Sequence, residues 1–211
     1  MAPVDENALV AALGQGDEAA FRELVTRYHN GLKRVARTFV SSDASADEVV
    51  QDTWTAVLTG IASFEGRSSV KTWIFRILVN RAKTKGVRDA RMVPESSLGN
   101  GETDGSLDNE HPAVDAARFD SRGMWSAPPQ RWGATSPQAH VLRQELVLKL
   151  QAAIAQLPER QSTIIVMRDA LGWSSEEVCN VLEISESNQR VLLHRGRARL
   201  RSMLEEYKTN G

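Results

Sequence analysis

Basic residues are concentrated in two short segments of this 211-residue chain, although its formal net charge is only −1. Residues 67–91 hold eight lysines and arginines and one acid, and residues 190–201 hold five arginines and no acid. Residues 93–140, between them, hold three arginines and seven acids. Clustered positive charge is typical of a surface that contacts a polyanion, although either segment alone is equally typical of a solvated helix face. Two basic segments separated by an acidic stretch indicate two separate contacts with a polyanion.

The residues before and within the second basic segment predict a helix-turn-helix. Ser174 and Glu177 have the spacing of a capping box, which opens a short helix. Residues 183–185 then make a tight turn, and Ser185 caps a longer, basic helix. In this layout the second helix enters the major groove of DNA. The alternative is an ordinary helical hairpin with a basic tail.

One face of that longer helix carries side chains that suit base edges. Arg190 could donate two hydrogen bonds to a guanine, and Val191 could touch a thymine methyl group. Arginines on either side of this face lie where phosphates would be. The residues that we assign to DNA on this helix are Ser187, Asn188, Arg190, Val191, His194, Arg195 and Arg197.

The first basic segment has the features of a site for single-stranded nucleic acid. Such sites combine a basic groove with aromatic platforms, and a base extruded from a duplex needs a pocket to hold it. We expect the loop from Phe64 to Lys71, with Asn80 nearby, to hold an unstacked base. Trp73 falls on the apolar stripe of the helix and is predicted to be a core residue. The residues assigned to this site are Phe64, Arg67, Ser68, Ser69, Lys71, Arg76, Asn80 and Lys83.

Apolar residues at steps of three and four predict helices along most of the chain. One helix starts at Asp17, a second at a capping box formed by Ser45 and Glu48, a third at Val70, and another ends at Pro158. No segment shows convincing two-residue alternation. The chain is therefore predicted to be all-α, with two small helical domains, residues 1–92 and 139–211, joined by a long linker, residues 93–138.

The predicted linker is rich in proline and glycine and poor in aliphatic residues, so it cannot bury enough surface to form a core. It nevertheless contains Phe119, Trp125 and Trp132, which are unusual in a passive spacer. Two interpretations are equally consistent with them. The segment either folds back on a neighbouring domain or serves as a docking peptide for a partner.

Composition argues against several other classes of protein. The single cysteine, Cys179, excludes an internal disulfide and a cysteine-based metal cluster, and the four histidines lack ligand spacing. There is no phosphate-binding glycine loop and no nucleophile elbow, so we expect no enzyme activity, cofactor, metal or small-molecule substrate. No apolar run approaches the roughly 20 residues of a membrane span, and no signal sequence is present. A cytoplasmic protein without membrane insertion is expected.

Both basic segments resemble one family. LPERQSTIIVMRDALGWSSEEVCNVLEISESNQRVLLHRGRARLR is similar to region 4 of the extracytoplasmic-function sigma factors of bacterial RNA polymerase. DEVVQDTW and FEGRSSVKTWIFRILVNRAKTKGVR are similar to region 2 of the same family. The resemblance implies an alternative sigma factor that directs polymerase to promoters, with region 2 melting the −10 element and region 4 binding the −35 element. It also implies three partners: the polymerase core, promoter DNA and an anti-sigma factor.

The resemblance assigns roles to residues that the polymerase would contact. Asp47, Gln51 and Asp52 lie away from the apolar stripe of their helix, and in the family this face docks on the coiled coil of the largest catalytic subunit. The family's linker threads into the polymerase cleft. The sequence departs from the family at Gln189, where a core valine is usual, at Gly196, and at Val191 and Leu192, where polar or basic residues are usual. The rival interpretation is a stand-alone helix-turn-helix regulator, which would not need the first domain.

Overall fold

The computed structural model describes residues 6–92 and 137–209, and every regular element in these two ranges is helical. The predicted all-α class is therefore confirmed. The elements are α1 Glu6–Gly14, α2 Glu18–Ala36, α3 Asp43–Gly60, a 3-10 turn Ile61–Ser63, α4 Val70–Met92, α5 Pro137–Ala155, α6 Glu159–Ile165, a π-helical turn Val166–Ala170, α7 Ser175–Leu182 and α8 Glu186–Thr209. Residues 93–136 of the predicted linker, including its three aromatic residues, lie outside the described ranges.

Two helix starts show where local patterns succeed and fail. The helix predicted to start at Asp17 is α2, and Asp17 caps it, because its carboxylate accepts hydrogen bonds from the backbone of residues 19 and 20. The capping box predicted at Ser45 and Glu48 is wrong. Ser42 caps α3 instead and accepts a hydrogen bond from the Ser45 backbone at 3.0 Å, while Glu48 pairs with Lys85 of α4. Helix α1 was not predicted from the sequence.

Helices α2, α3 and α4 share one apolar core. The largest side chains that they bury there are Leu24, Leu32, Val35, Val49, Val50, Val57, Ile74, Phe75 and Leu78. Leu58, also in α3, is 54% exposed. The backbones approach closely at Gly86 of α4, where an added Cβ would lie 2.4 Å from the carbonyl oxygen of Phe39. The position of α4 against the end of α2 therefore depends on glycine.

The described residues form two compact units. The first unit combines residues 6–92 with Thr163–Gln189, and in it Trp173 packs edge-on against Phe75 of α4 with ring centroids 4.6 Å apart. The second unit contains residues 137–162 and 190–209. It buries Ala153, Leu157 and Leu200, whereas Leu146 and Leu150, earlier in α5, are exposed.

Candidate nucleic-acid interface

The predicted helix-turn-helix is present, with the predicted caps. The Ser174 hydroxyl accepts a hydrogen bond from the Glu177 backbone at 3.1 Å, and the Glu177 carboxylate accepts one from the Ser174 backbone at 2.8 Å. Glu183 adopts a left-handed conformation with φ 58° and ends α7. The Ser185 hydroxyl then accepts a hydrogen bond from the Asn188 backbone at 3.2 Å and fixes the start of α8.

The seven residues assigned to DNA on α8 are all exposed, and we call them the recognition face. Val191 is 47% exposed, whereas the next two residues, Leu192 and Leu193, are buried. Leu192 is therefore a core residue, although polar or basic residues are usual at this position in the family that the sequence resembles. The five arginines of residues 190–201 include four on the exposed surface of the helix, at positions 190, 195, 197 and 199. This arrangement is able to contact a DNA groove together with its phosphates.

Gln189 is a buried polar residue in the helix-turn-helix. Its side chain is 1% exposed, and its Oε1 accepts a hydrogen bond from the Ser175 hydroxyl at 3.0 Å. Its Nε2 is buried and has no hydrogen-bond partner among residues 6–92 and 137–209. An unsatisfied buried donor lowers the free energy of unfolding by about 1–3 kcal/mol, so the Gln189 side chain does not stabilise the fold. The hydrogen bond to Ser175 explains how glutamine fits where the family usually has valine.

The loop before α4 and the start of that helix form an aromatic corner. The rings of Phe64 and Trp73 lie 5.2 Å apart, and the Trp73 ring also lies against Gly60. Trp73 is partly exposed, so the prediction of a core tryptophan is wrong. The Ser69 hydroxyl accepts a hydrogen bond from the Thr72 backbone at 3.1 Å, which anchors the loop to the helix.

The other residues assigned to this site differ in their exposure. Arg67 is exposed in the loop and pairs with Glu65, and Ser68 is partly buried. Asn80 and Lys83 are exposed on α4. Asn80 lies nine residues beyond Lys71, which is about 13 Å along the axis of an α-helix. The helix therefore separates Asn80 from the loop by two and a half turns.

Lys71 and Arg76 are engaged by the residues just before and within α7. The Lys71 ammonium lies 2.8 Å from the Glu177 carboxylate and 3.8 Å from the centroid of the Trp173 ring. Arg76 Nε donates a hydrogen bond to the backbone oxygen of Asn180 at 2.7 Å. Burial acts to raise the pKa of Glu177, but hydrogen bonds from Lys71 and the Ser174 backbone outweigh it, so this pKa lies below its ordinary value. Sequence reasoning missed these contacts.

Asp47, Gln51 and Asp52 are exposed on one side of α3, and we call them the acidic face. Asp47 pairs with Lys33 of α2 at 2.6 Å, and Asp52 lies 4.0 Å from Arg81 of α4. These ion pairs were not predicted, because their members are distant in sequence. They leave both carboxylates more than half exposed, with side-chain exposures of 54% and 58%.

Next to the acidic face, Lys85 joins α4 to α3. Its ammonium lies 2.6 Å from Glu48 and 3.5 Å from Asp89. The hydrogen bond with Glu48 is the main reason that the pKa of Lys85 lies above its ordinary value. Burial opposes this shift, and Asp89 adds to it.

Residues 6–92 and 137–209 contain no cluster of three or more histidine, cysteine, aspartate or glutamate side chains placed to hold a metal ion. Within the same ranges, none of the helices has the length and apolar character needed to cross a membrane.

Comparison with known proteins identifies both halves of this arrangement. Residues 24–91 match the family model of sigma-70 region 2, and residues 148–200 match that of sigma-70 region 4. The chain thus belongs to the sigma-70 family and is a transcription initiation factor that directs RNA polymerase to promoters.

Within that family the chain belongs to the extracytoplasmic-function group. It is 28% identical over 200 residues to the ECF RNA polymerase sigma-E factor of Haemophilus influenzae, covering 95% of each chain. It is also 28% identical over 192 residues to the sigma-E factor of Escherichia coli, covering 91% of this chain and 90% of that one.

Two solved structures share the fold. One is CnrH in complex with the cytosolic domain of CnrY, with a TM-score of 0.58 and 20% identity, covering 95% of this chain and 97% of that one. The other is the sigma factor RpoE in complex with the anti-sigma factor NepR from Bartonella quintana, with a TM-score of 0.57 and 22% identity, covering 88% of this chain and 96% of that one.

Proposed function

We propose that this sigma factor binds promoter DNA and polymerase through three surfaces, on α8, α4 and α3. The observation that carries the proposal is the exposure of the whole recognition face of α8. That face lies on the second helix of a helix-turn-helix whose caps and turn are all formed. Arg190 and Val191 bind base edges of the −35 element in the major groove, while Arg195 and Arg197 bind its phosphates.

The basic face of α4, which consists of Arg76, Asn80 and Lys83, binds the melted −10 element together with Lys71 and the preceding loop. The Phe64–Trp73 corner supplies an aromatic platform at the loop end of this face. Asn80 and Lys83 extend the binding surface along α4 rather than lining the same pocket as the loop. A single strand that follows the helix would meet the loop first and the exposed Lys83 last.

The acidic face of α3 binds the polymerase core at the coiled coil of its largest catalytic subunit. Exposed ion pairs contribute only about 0–1 kcal/mol, so a basic partner helix can replace the pairs that Asp47 and Asp52 make within the chain. Gln51 lies between them and adds a neutral hydrogen-bonding group. Complementary charge of this kind mainly sets orientation and association rate.

An anti-sigma factor is proposed as the third partner. RpoE of Bartonella quintana was solved bound to such a protein. In this chain, α5 exposes a run of apolar residues that a partner could cover: Leu146, Val147, Leu148 and Leu150. The protein acts in the cytoplasm, without catalytic activity of its own. Its linker enters the polymerase cleft, so deletion of residues 100–135 should impair initiation and leave core binding intact.

Retention by immobilised core polymerase tests the role of α3. Asp52→Asn removes a charge from the acidic face, and Glu18→Gln is a matched control because Glu18 is an exposed acid of α2 outside that face. We expect the first variant to be retained less than the wild type and the second to be retained equally. Equal retention of all three proteins would exclude this face, and no retention of the wild type would favour a stand-alone regulator.

A further inference from the structure

Residues 173–180 already occupy two of the side chains that we assign to −10 DNA. Glu177 and the Trp173 ring contact the ammonium of Lys71, at 2.8 Å and 3.8 Å respectively. The backbone oxygen of Asn180 accepts the hydrogen bond of Arg76. Both basic side chains therefore have partners from the same chain in this conformation.

These three partners have the chemistry of single-stranded nucleic acid. The carboxylate of Glu177 is an anion that pairs with Lys71 as a phosphate could, and the carbonyl of Asn180 resembles the carbonyl oxygens of bases. The Trp173 ring offers a π surface to a cation, as the face of a base does. Lys71 and Arg76 cannot hold this segment and a DNA strand at the same time.

An aromatic contact beneath the polar ones attaches the segment to α4. Phe75 lies between Lys71 and Arg76 in sequence, and its ring packs against Trp173 with 2% and 3% exposure respectively. The Lys71–Glu177 pair around it is partly exposed, at 26% and 34%, and such pairs contribute little to stability. The aromatic contact therefore holds the segment, while the polar contacts control access to the two basic side chains.

We infer that residues 173–180 are an intramolecular competitor whose polar contacts occupy Lys71 and Arg76 of α4 until −10 DNA replaces those contacts. This inference rests on the proposed role of α4 in binding −10 DNA. It assigns the segment that includes α7 a second task besides supporting the recognition helix. The free chain should then bind single strands more weakly than its exposed basic residues alone would allow.

The sharpest test is Glu177→Gln, compared with Glu176→Gln. Glutamine at position 177 still completes the capping box with Ser174 but removes the charge that faces Lys71. Glu176 is exposed in the same first turn of α7 and is a charge-matched control. We expect E177Q to bind a fluorescein-labelled single-stranded oligonucleotide of mixed sequence about two- to fivefold more tightly than E176Q at low salt. Equal affinities would overturn the inference.

Lys83→Ala separates this inference from the proposed function. Lys83 belongs to the basic face of α4 but is exposed. If K83A binds the oligonucleotide as well as the wild type does, the role of α4 in binding DNA fails. If K83A binds more weakly and E177Q equals E176Q, only the competitor fails.

A second measurement uses the unmodified full chain. Saturation with the same oligonucleotide should speed hydrogen exchange of the backbone amides in α7, because the strand takes Lys71 and Arg76 away from the segment. Exchange in α5 should not accelerate. Unchanged or slower exchange in α7 would overturn the inference without any need for a variant.

Discussion

Gly86→Ala tests the packing that positions α4. Alanine in a helix interior is ordinarily more stable than glycine by about 1 kcal/mol, so the helix alone predicts stabilisation. The structure predicts the opposite. A Cβ at this position would lie 2.4 Å from the carbonyl oxygen of Phe39, well inside the 3.0 Å that Cβ contacts essentially never fall below.

The size of the effect follows from what has to move. The obstructing atom belongs to the backbone at the end of α2, so the clash cannot be relieved by rotating a side chain. Overpacking of this kind typically costs about 1–3 kcal/mol. After the helix-propensity gain is subtracted, we expect G86A to lower the free energy of unfolding by about 0–2 kcal/mol.

Urea denaturation of the full chain, followed by far-ultraviolet circular dichroism, measures this change. Gly14→Ala is the control, since Gly14 is the last residue of helix α1 and an added Cβ there meets nothing within 4 Å among the described residues. The midpoint for G14A should equal or exceed that of the wild type. A midpoint for G86A that rises to the same extent would refute the close approach of α4 to α2.

Three further outcomes are expected. Arg190→Ala should weaken binding to −35 duplex DNA by about 5- to 150-fold. The control Arg34→Ala removes an exposed charge from α2 and should have little effect on this binding. Equal losses of affinity would mean that only net charge matters. Lys33→Ala should strengthen retention by core polymerase, because it frees Asp47 for the partner, and weaker retention would count against that role. The stability difference between the wild type and E177Q should be present at neutral pH and should disappear as the pH falls below about 4.5. The reason is that a lowered carboxyl pKa stabilises the fold only while the carboxyl group is ionised. A difference in urea midpoint that persists in acid would contradict this prediction.

The helix-turn-helix was predictable because its signals are local. Ser174 and Glu177 are three residues apart, and Ser185 acts on the backbone of Asn188. Such short-range hydrogen bonds do not depend on the rest of the fold. The exposure of the recognition face was predictable for the same reason, because it follows from helical spacing.

Contacts between distant residues could not be predicted. Ser42 and Ser45 are both suitable caps for α3, and the structure uses Ser42, the earlier of the two. The ion pairs of Asp43 with Arg37 and of Glu48 with Lys85 accompany this start. The Lys71–Glu177 pair joins residues 106 positions apart, and no local pattern marks it.

The sequence pattern also could not predict which aromatic residues are buried. Trp73 falls on the apolar stripe of α4 yet remains partly exposed. Trp173 is 3% exposed, because Phe75 packs against it from α4. Helical spacing gives the direction of a side chain, whereas burial depends on which element packs over it.

Run-off transcription on genomic DNA by purified core polymerase and the purified chain is the most direct test of the proposed recruitment of polymerase to promoters. We expect discrete transcripts that start at defined sites, that require the chain, and that are reduced strongly by R190A and little by Arg34→Ala. The absence of any chain-dependent transcript, with no inhibitor protein present, would contradict the central claim that its helical surfaces bring polymerase to promoter DNA.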